Sequence, residues 1–193
     1  MVSKKIVILI TGTPGTGKTI IAKLLSERLN AEYLSLNDLA FKYNFIESYD
    51  KDRDTWVIKE KELSAFVKEK ILKSEKNIVI DSHMGEILDP KIIDYIIILR
   101  TRPKVLKERL SERNWKESKV DENVQAEILG IVTYNILQHF PKERIFEIDT
   151  SDKSPNEVVE IIEKIIKHEK SFKKYLVGKI DWLDEEAISK FFD

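Results

Sequence analysis

The chain has 193 residues and a formal net charge of −1, so it can bury a self-sufficient core and carries no overall basic field for nucleic acid. Cysteine is absent, which excludes disulfides, cysteine-ligated zinc and thiol catalysis. No apolar run approaches the ~18 residues of a membrane-spanning helix, and Lys4-Lys5 with Ile6 to Ile10 is too short for a secretion signal; no membrane partner and a cytoplasmic location are expected, or a nuclear one in a nucleated cell.

Ile6 to Ile10 is a continuous apolar run, as a buried parallel strand requires. Gly12 to Thr19 follows, reading Gly-Thr-Pro-Gly-Thr-Gly-Lys-Thr, the G-x-x-x-x-G-K-[ST] spacing of a phosphate-binding loop. The backbone N–H groups of such a loop can surround phosphate oxygens, and the helix behind it adds its positive end. That helix is expected from Ile20, Ile21, Leu24, Leu25 and Leu29 at helical spacing. Lys18 can reach the β- and γ-phosphates, and Thr19 can ligate Mg²⁺.

Ala31 to Leu36 reads as a second strand, with Asn37-Asp38 capping a helix from Leu39 towards Tyr43. Residues Asn44 to Trp56 are polar and acidic without strong periodicity and are expected to be mobile. Helical spacing resumes from Val57 to Leu72. Asn77 to Ile80 is a third strand ending at Asp81-Ser82-His83, and Tyr95 to Leu99 a fourth. Pro103 to Leu110 is a helix with proline in its first turn. Arg113 to Val120 is a polar loop, and Asp121 then caps a helix running to about His139. Ile145 to Ile148 is a fifth strand, and Ser154-Pro155-Asn156-Glu157 opens a last helix to about His168. Alternation of short apolar strands with helices predicts an α/β fold, a parallel sheet with helices on both faces and ligands beyond the strands' carboxyl ends.

Asp81 follows directly on a strand, where a phosphate-loop enzyme holds a metal carboxylate; the bland alternative is a solvated strand end. His83 can face the same site and position a water or an acceptor, whereas His139 and His168 lie on predicted helices and read as structural. Arg113 is the candidate for a hinged cation closing over the phosphates, with Lys116 and Lys119 beside it.

The order of phosphate loop, acidic segment, strand, helix and arginine-bearing loop resembles the adenylate kinases. Within them it is similar to the isoenzyme 6 family, the small adenylate kinase and ribosome-assembly ATPase of eukaryotes and archaea. The likeness rests on residues 12–19 and on the Asp-x-His at 81–83. Leu99-Arg100-Thr101, Glu108-Arg109-Leu110, Glu112-Arg113 before Trp115, and Asp121-Glu122-Asn123 with Gln125 and Glu127 add to it. The resemblance covers about residues 6–168 and implies a P-loop NTPase three-layer fold of nucleoside monophosphate kinase type, with a five-stranded parallel sheet and a short lid. It implies ATP + AMP ⇌ 2 ADP with Mg²⁺, a Mg-dependent ATPase activity, and help in maturing the small ribosomal subunit through one of its proteins. ATP contacts carry over to Gly15, Thr16, Gly17, Lys18, Thr19, Ile20 and Arg113. The metal and hydrolysis pair carries over to Asp81 and His83, with Thr19 as the other metal ligand. The acceptor region carries over to about 35–58 and the lid to about 112–122. Where many adenylate kinases place an acceptor-binding arginine, this chain reads Asp38-Leu39-Ala40-Phe41-Lys42, leaving Asp38, Lys42 and Arg53 as the acceptor candidates.

Two other functions fit the same motifs. One is an assembly ATPase in which kinase activity is incidental. The other is a kinase of another small metabolite, although the acceptor region has no clustered arginines for a carboxylate substrate. The segment 169–193 carries Phe172, Tyr175, Leu176, Trp182 and Leu183 among lysines, and reads equally as a docking arm or as chain packed back on the domain.

Overall fold

The computed structural model describes residues 5–51, 55–113 and 115–183. Strands are β1 (Val7–Gly12), β2 (Glu32–Ser35), β3 (Ile46–Asp50), β4 (Thr55–Ile58), β5 (Ile78–Asp81), β6 (Tyr95–Arg100) and β7 (Ile145–Asp149). Helices are α1 (Lys18–Arg28), α2 (Leu36–Lys42), α3 (Glu60–Lys73), α4 (Pro103–Ser111), α5 (Glu117–Ile128), α6 (Ile131–His139) and α7 (Pro155–Ile166). The main sheet has five parallel strands in the order β2-β5-β1-β6-β7. This is the expected three-layer phosphate-loop architecture. Among the described residues no helix is long and apolar enough to cross a membrane.

Strand alternation divides the interior into two layers. Leu9, Ile80, Ile96 and Ile98 point to the face covered by α2, α3 and α6. Ile8, Ile10, Val79, Ile97 and Leu99 point to the face covered by α1 and α7. A smaller apolar cluster, Leu106, Leu110, Val120, Val124 and Ile128, joins α4 to α5, with Trp115 packed on its edge. Helix α7 starts at a full capping box, with Ser154 bonded to the Glu157 N–H and Glu157 bonded back to Ser154.

Several boundaries depart from the expected ones. The segment read as mobile, 44–56, contains an antiparallel hairpin of β3 and β4. Val57 and Ile58 belong to that hairpin, so α3 opens only at Glu60. Ser35, rather than Asn37 or Asp38, caps α2, its side chain accepting from the Asp38 N–H at 3.1 Å. The polar stretch before Asp121 is already helical from Glu117, because Val120 and Val124 share one buried face of α5. The single helix expected to His139 is two, broken at Gly130, whose φ of +63° suits glycine and ends α5.

The last described stretch packs back on the domain. Leu176 bridges to Phe146, the Val177 N–H donates to the Ile145 carbonyl at 3.1 Å, and Phe172 packs near Phe146 with ring centroids 6.1 Å apart.

Candidate active site

The site forms where the carboxyl ends of β1 and β5 meet the start of α1. Gly12, with φ +142°, lets the chain leave β1 against β6: a Cβ there would stand 2.4 Å from the Leu99 carbonyl oxygen. Gly15, with φ +94°, fits under α4, since a Cβ would meet Leu106 Cδ1 at 2.8 Å and Leu110 Cδ2 at 2.9 Å. Thr16 is buried and closes the loop on itself, its hydroxyl donating to the Thr13 carbonyl at 2.9 Å. Gly17 caps α1 in a left-handed conformation. The loop therefore presents its backbone, and its bulk faces protein.

Lys18 is partly buried, and its ammonium donates to the Thr13 carbonyl at 3.1 Å. Burial, with Arg113 adding to it, lowers its pKa to about 8, while Asp81 and Glu127 act in the opposite direction. Thr19 is exposed on the first turn of α1, and its hydroxyl donates to Asp81 Oδ2 at 2.6 Å. The same oxygen accepts from the Tyr33 hydroxyl at 3.1 Å. Burial and then the Asp81 charge push the Tyr33 phenol well above its ordinary pKa, so it remains a donor. Register places Asp81 here: β5 pairs with β1 as Ile10↔Asp81, so the carboxylate emerges beside the loop.

His83 lies beyond β5, open to solvent on one side and crowded by protein on the others. That crowding and the Lys18 charge lower its pKa, against an opposing effect of Asp81. Arg113 is exposed in the turn between α4 and α5, its guanidinium 5.7 Å from the Trp115 ring centre. Lys119 lies 5.0 Å from the same ring. The structure thus brings Lys18, Thr19, Asp81, His83 and Arg113 into one electrostatic neighbourhood. Ile20 is 61% exposed, so its side chain packs on little and its backbone is what lies in the first turn of α1.

The acceptor candidates are not assembled in the same way. Asp38 is exposed on the first turn of α2. Lys42 is exposed at the end of that helix, 5.6 Å from the centre of its neighbour Tyr43's ring. Arg53 lies outside the described residues.

Thr19 and Asp81 supply hard oxygen donors, a hydroxyl and one carboxylate. Among the described residues there is no cluster of three or more His, Cys, Asp or Glu side chains fit to hold a metal. That set suits Mg²⁺, which takes few protein ligands and completes its shell with phosphate and water, rather than zinc or calcium.

Sequence reading missed a buried polar layer under the loop. Thr13 Oγ1 donates to Glu127 Oε2 at 2.5 Å, Arg100 Nε donates to Glu127 Oε1 at 2.8 Å, and Arg100 Nη1 donates to Glu147 Oε1 at 2.8 Å. Burial opposes the Arg100 charge, but Glu127 and Glu147 outweigh it and raise its pKa. A signal existed: Glu127 falls on the apolar stripe of α5 with Val120, Val124 and Ile128, where a lone charge needs a buried partner.

An AAA domain family model matches residues 8–130. A protein of Methanocaldococcus jannaschii named "Putative adenylate kinase" is 39% identical over 186 residues, covering 96% of this chain and 95% of its own. A protein of the same name from Thermococcus onnurineus is 38% identical, covering 93% and 92%. One from Saccharolobus islandicus is 34% identical, covering 97% and 92%. Among solved structures, shikimate kinase from Bacteroides thetaiotaomicron superposes with a TM-score of 0.58 over 84% of this chain and 98% of its own, at 15% identity. That last likeness is one of fold.

Proposed function

We propose that this chain, which belongs to the archaeal adenylate kinase family and so is a nucleoside monophosphate kinase, transfers the γ-phosphoryl group of ATP to AMP, giving two ADP. The observation that carries the reading is the 2.6 Å contact between Thr19 at the head of α1 and Asp81 at the end of β5, with Lys18 alongside.

Phosphoryl transfer needs little covalent help from protein; it needs positioning and charge stabilisation. The N–H groups of residues 15–20 would hold the phosphate tail at the positive end of α1. Lys18 would sit on the β- and γ-phosphates as a point charge. Thr19 and Asp81 would hold Mg²⁺, which would supply positive charge against the negative charge developing in the transfer. Tyr33 keeps Asp81 turned towards Thr19. Arg113, on the α4–α5 turn, would offset charge on the transferring group, which is the task of a short lid over about 112–122. The acceptor would lie against the region 35–58.

A second reading, hydrolysis of ATP as the main activity, has an observation of its own. Helix α2, the first helix of the acceptor region, carries Lys42, exposed at its end, and no arginine for a bidentate grip on an AMP phosphate. His83, open to solvent beside Asp81, would then orient the attacking water. The likeness to the isoenzyme 6 type supports the same reading and would place the ATPase in small ribosomal subunit maturation, with a ribosomal protein as partner.

Product analysis separates the two. The protein is incubated with Mg-ATP, with and without AMP, and ADP and free phosphate are followed separately, with Lys18→Ala as the blank. Two ADP per ATP consumed, with little phosphate, is the expected result. Phosphate release indifferent to AMP would overturn the kinase reading in favour of hydrolysis.

A further inference from the structure

The carboxylate of Glu127 joins the phosphate loop to the last described stretch of the chain. Its Oε2 accepts from Thr13 in the phosphate loop. Its Oε1 accepts from Arg100 Nε, from the Thr101 N–H at 3.0 Å and from the Trp182 indole N–H at 3.2 Å. Four donors converge on this one carboxylate, three on Oε1 and one on Oε2. The stretch around Trp182 is held by the same layer at two further points. The Gly178 N–H donates to Glu147 Oε2 at 2.7 Å, and the Ile180 carbonyl accepts from Arg100 Nη1 at 3.5 Å.

We propose that Glu127 is a positioning residue for the phosphate loop, and that its carboxylate couples filling of the loop to the seating of residues 178–182. This rests on the reading of residues 12–19 as a nucleotide site. The two oxygens of a carboxylate are fixed to one another, so a shift of Thr13 as the loop closes on phosphates turns the group that also holds Trp182. Glu127 is 2% exposed, so losing a donor there is costly. The coupling is reciprocal: whatever fixes Trp182 favours the nucleotide-ready loop, and loosening it weakens nucleotide binding.

Two substitutions, one at each end of the link, test this without touching a buried charge. Thr13→Val removes the hydroxyl at the loop end, and Trp182→Phe removes the indole donor at the other. Binding of Mg-ATP is measured by calorimetry, and hydrogen exchange is followed over residues 176–183 with and without Mg-ATP. In the unmodified chain, Mg-ATP is expected to slow exchange at the Gly178 amide. In Trp182→Phe, Mg-ATP affinity is expected to fall about fivefold, the lower end of ordinary coupling between sites. In Thr13→Val, exchange over 176–183 is expected to become indifferent to Mg-ATP at saturation. Glu127→Gln should stay near the unmodified protein, because its amide can donate to the Thr13 hydroxyl while its carbonyl faces Arg100; Glu127→Leu should not. Normal Mg-ATP binding by both end variants, with exchange unchanged by Mg-ATP in the unmodified chain, would overturn the coupling and leave the nucleotide site standing. An unmodified chain that binds no Mg-ATP would overturn the nucleotide reading, and the coupling with it.

Discussion

Asp81 accepts the hydroxyl of Thr19 at 2.6 Å, although 62 positions of sequence separate them. The sheet makes this contact. With Ile10 paired to Asp81, the end of β5 stands beside the strand that feeds the loop, and a one-residue slip would turn the carboxylate to the opposite face. Charge rather than shape should therefore be what Asp81 contributes. Asp81→Asn keeps an acceptor for Thr19 and Tyr33 but gives up the negative charge. ADP formation should fall ~100-fold or more, the usual scale for losing one electrostatic contribution to the transition state, here through the metal that Asp81 would help hold. Its melting temperature should change little. Turnover within a few-fold of the unmodified protein would remove Asp81 from the metal site.

Lys18 is expected to separate stability from activity. Its ammonium is held where burial lowers the pKa to about 8, so the folded protein carries that charge at some cost. Lys18→Met keeps the stem and drops the charge. The melting temperature should hold or rise, while ADP formation is lost and Mg-ATP binding weakens at least tenfold. A variant both less stable and still active would mean that the lysine serves packing.

The phosphate loop was legible because its information is local: eight consecutive residues fix the turn and the helix start. The main-sheet strands were legible because each is a short apolar run. The β3–β4 hairpin was not, for a physical reason: Glu47, Ser48, Tyr49, Trp56 and Val57 are all exposed, so neither strand buries one face and no alternation marks it. The break between α5 and α6 had a visible sign in Gly130, an isolated glycine inside a helical pattern. Tyr33 on Asp81 and Trp182 on Glu127 had none, because each contact exists only once the strands and helices are assembled.

Gly15 shows how tightly the loop is built into its surroundings. Its φ is +94°, and an added Cβ would press on Leu106 and Leu110, which belong to the cluster joining α4 to α5. Gly15→Ala should cost about 1–3 kcal/mol of stability from backbone strain and overpacking together. It should also weaken Mg-ATP binding, because the loop cannot move away from α4 without moving its N–H groups. Gly178→Ala is the control: its φ of +91° is similarly unfavourable, but nothing lies within 4 Å of the added atom. It should lose only the strain part of the stability. Equal stability losses in the two would show that crowding under α4 adds nothing at Gly15.

The buried charges under the loop are two carboxylates and one guanidinium. Arg100 is 3% exposed, Glu127 2% and Glu147 3%. Arg100 supplies the charge that makes the other two tolerable, since its Nε and Nη1 each reach one carboxylate at 2.8 Å. Its Nη2 also donates to the Glu127 backbone carbonyl at 2.9 Å, tying the end of β6 to the end of α5. Arg100→Met keeps much of the apolar stem and abandons both carboxylates. Removing one partner of a buried ion pair usually costs about 3–5 kcal/mol, because an uncompensated charge stays behind. The variant should unfold at a clearly lower urea midpoint. Adding Glu147→Gln to it should recover part of the loss, since one orphaned charge is then gone. A single variant within about 1 kcal/mol of the unmodified protein would mean that the carboxylates take up protons or water instead, and that the layer contributes little to holding the loop.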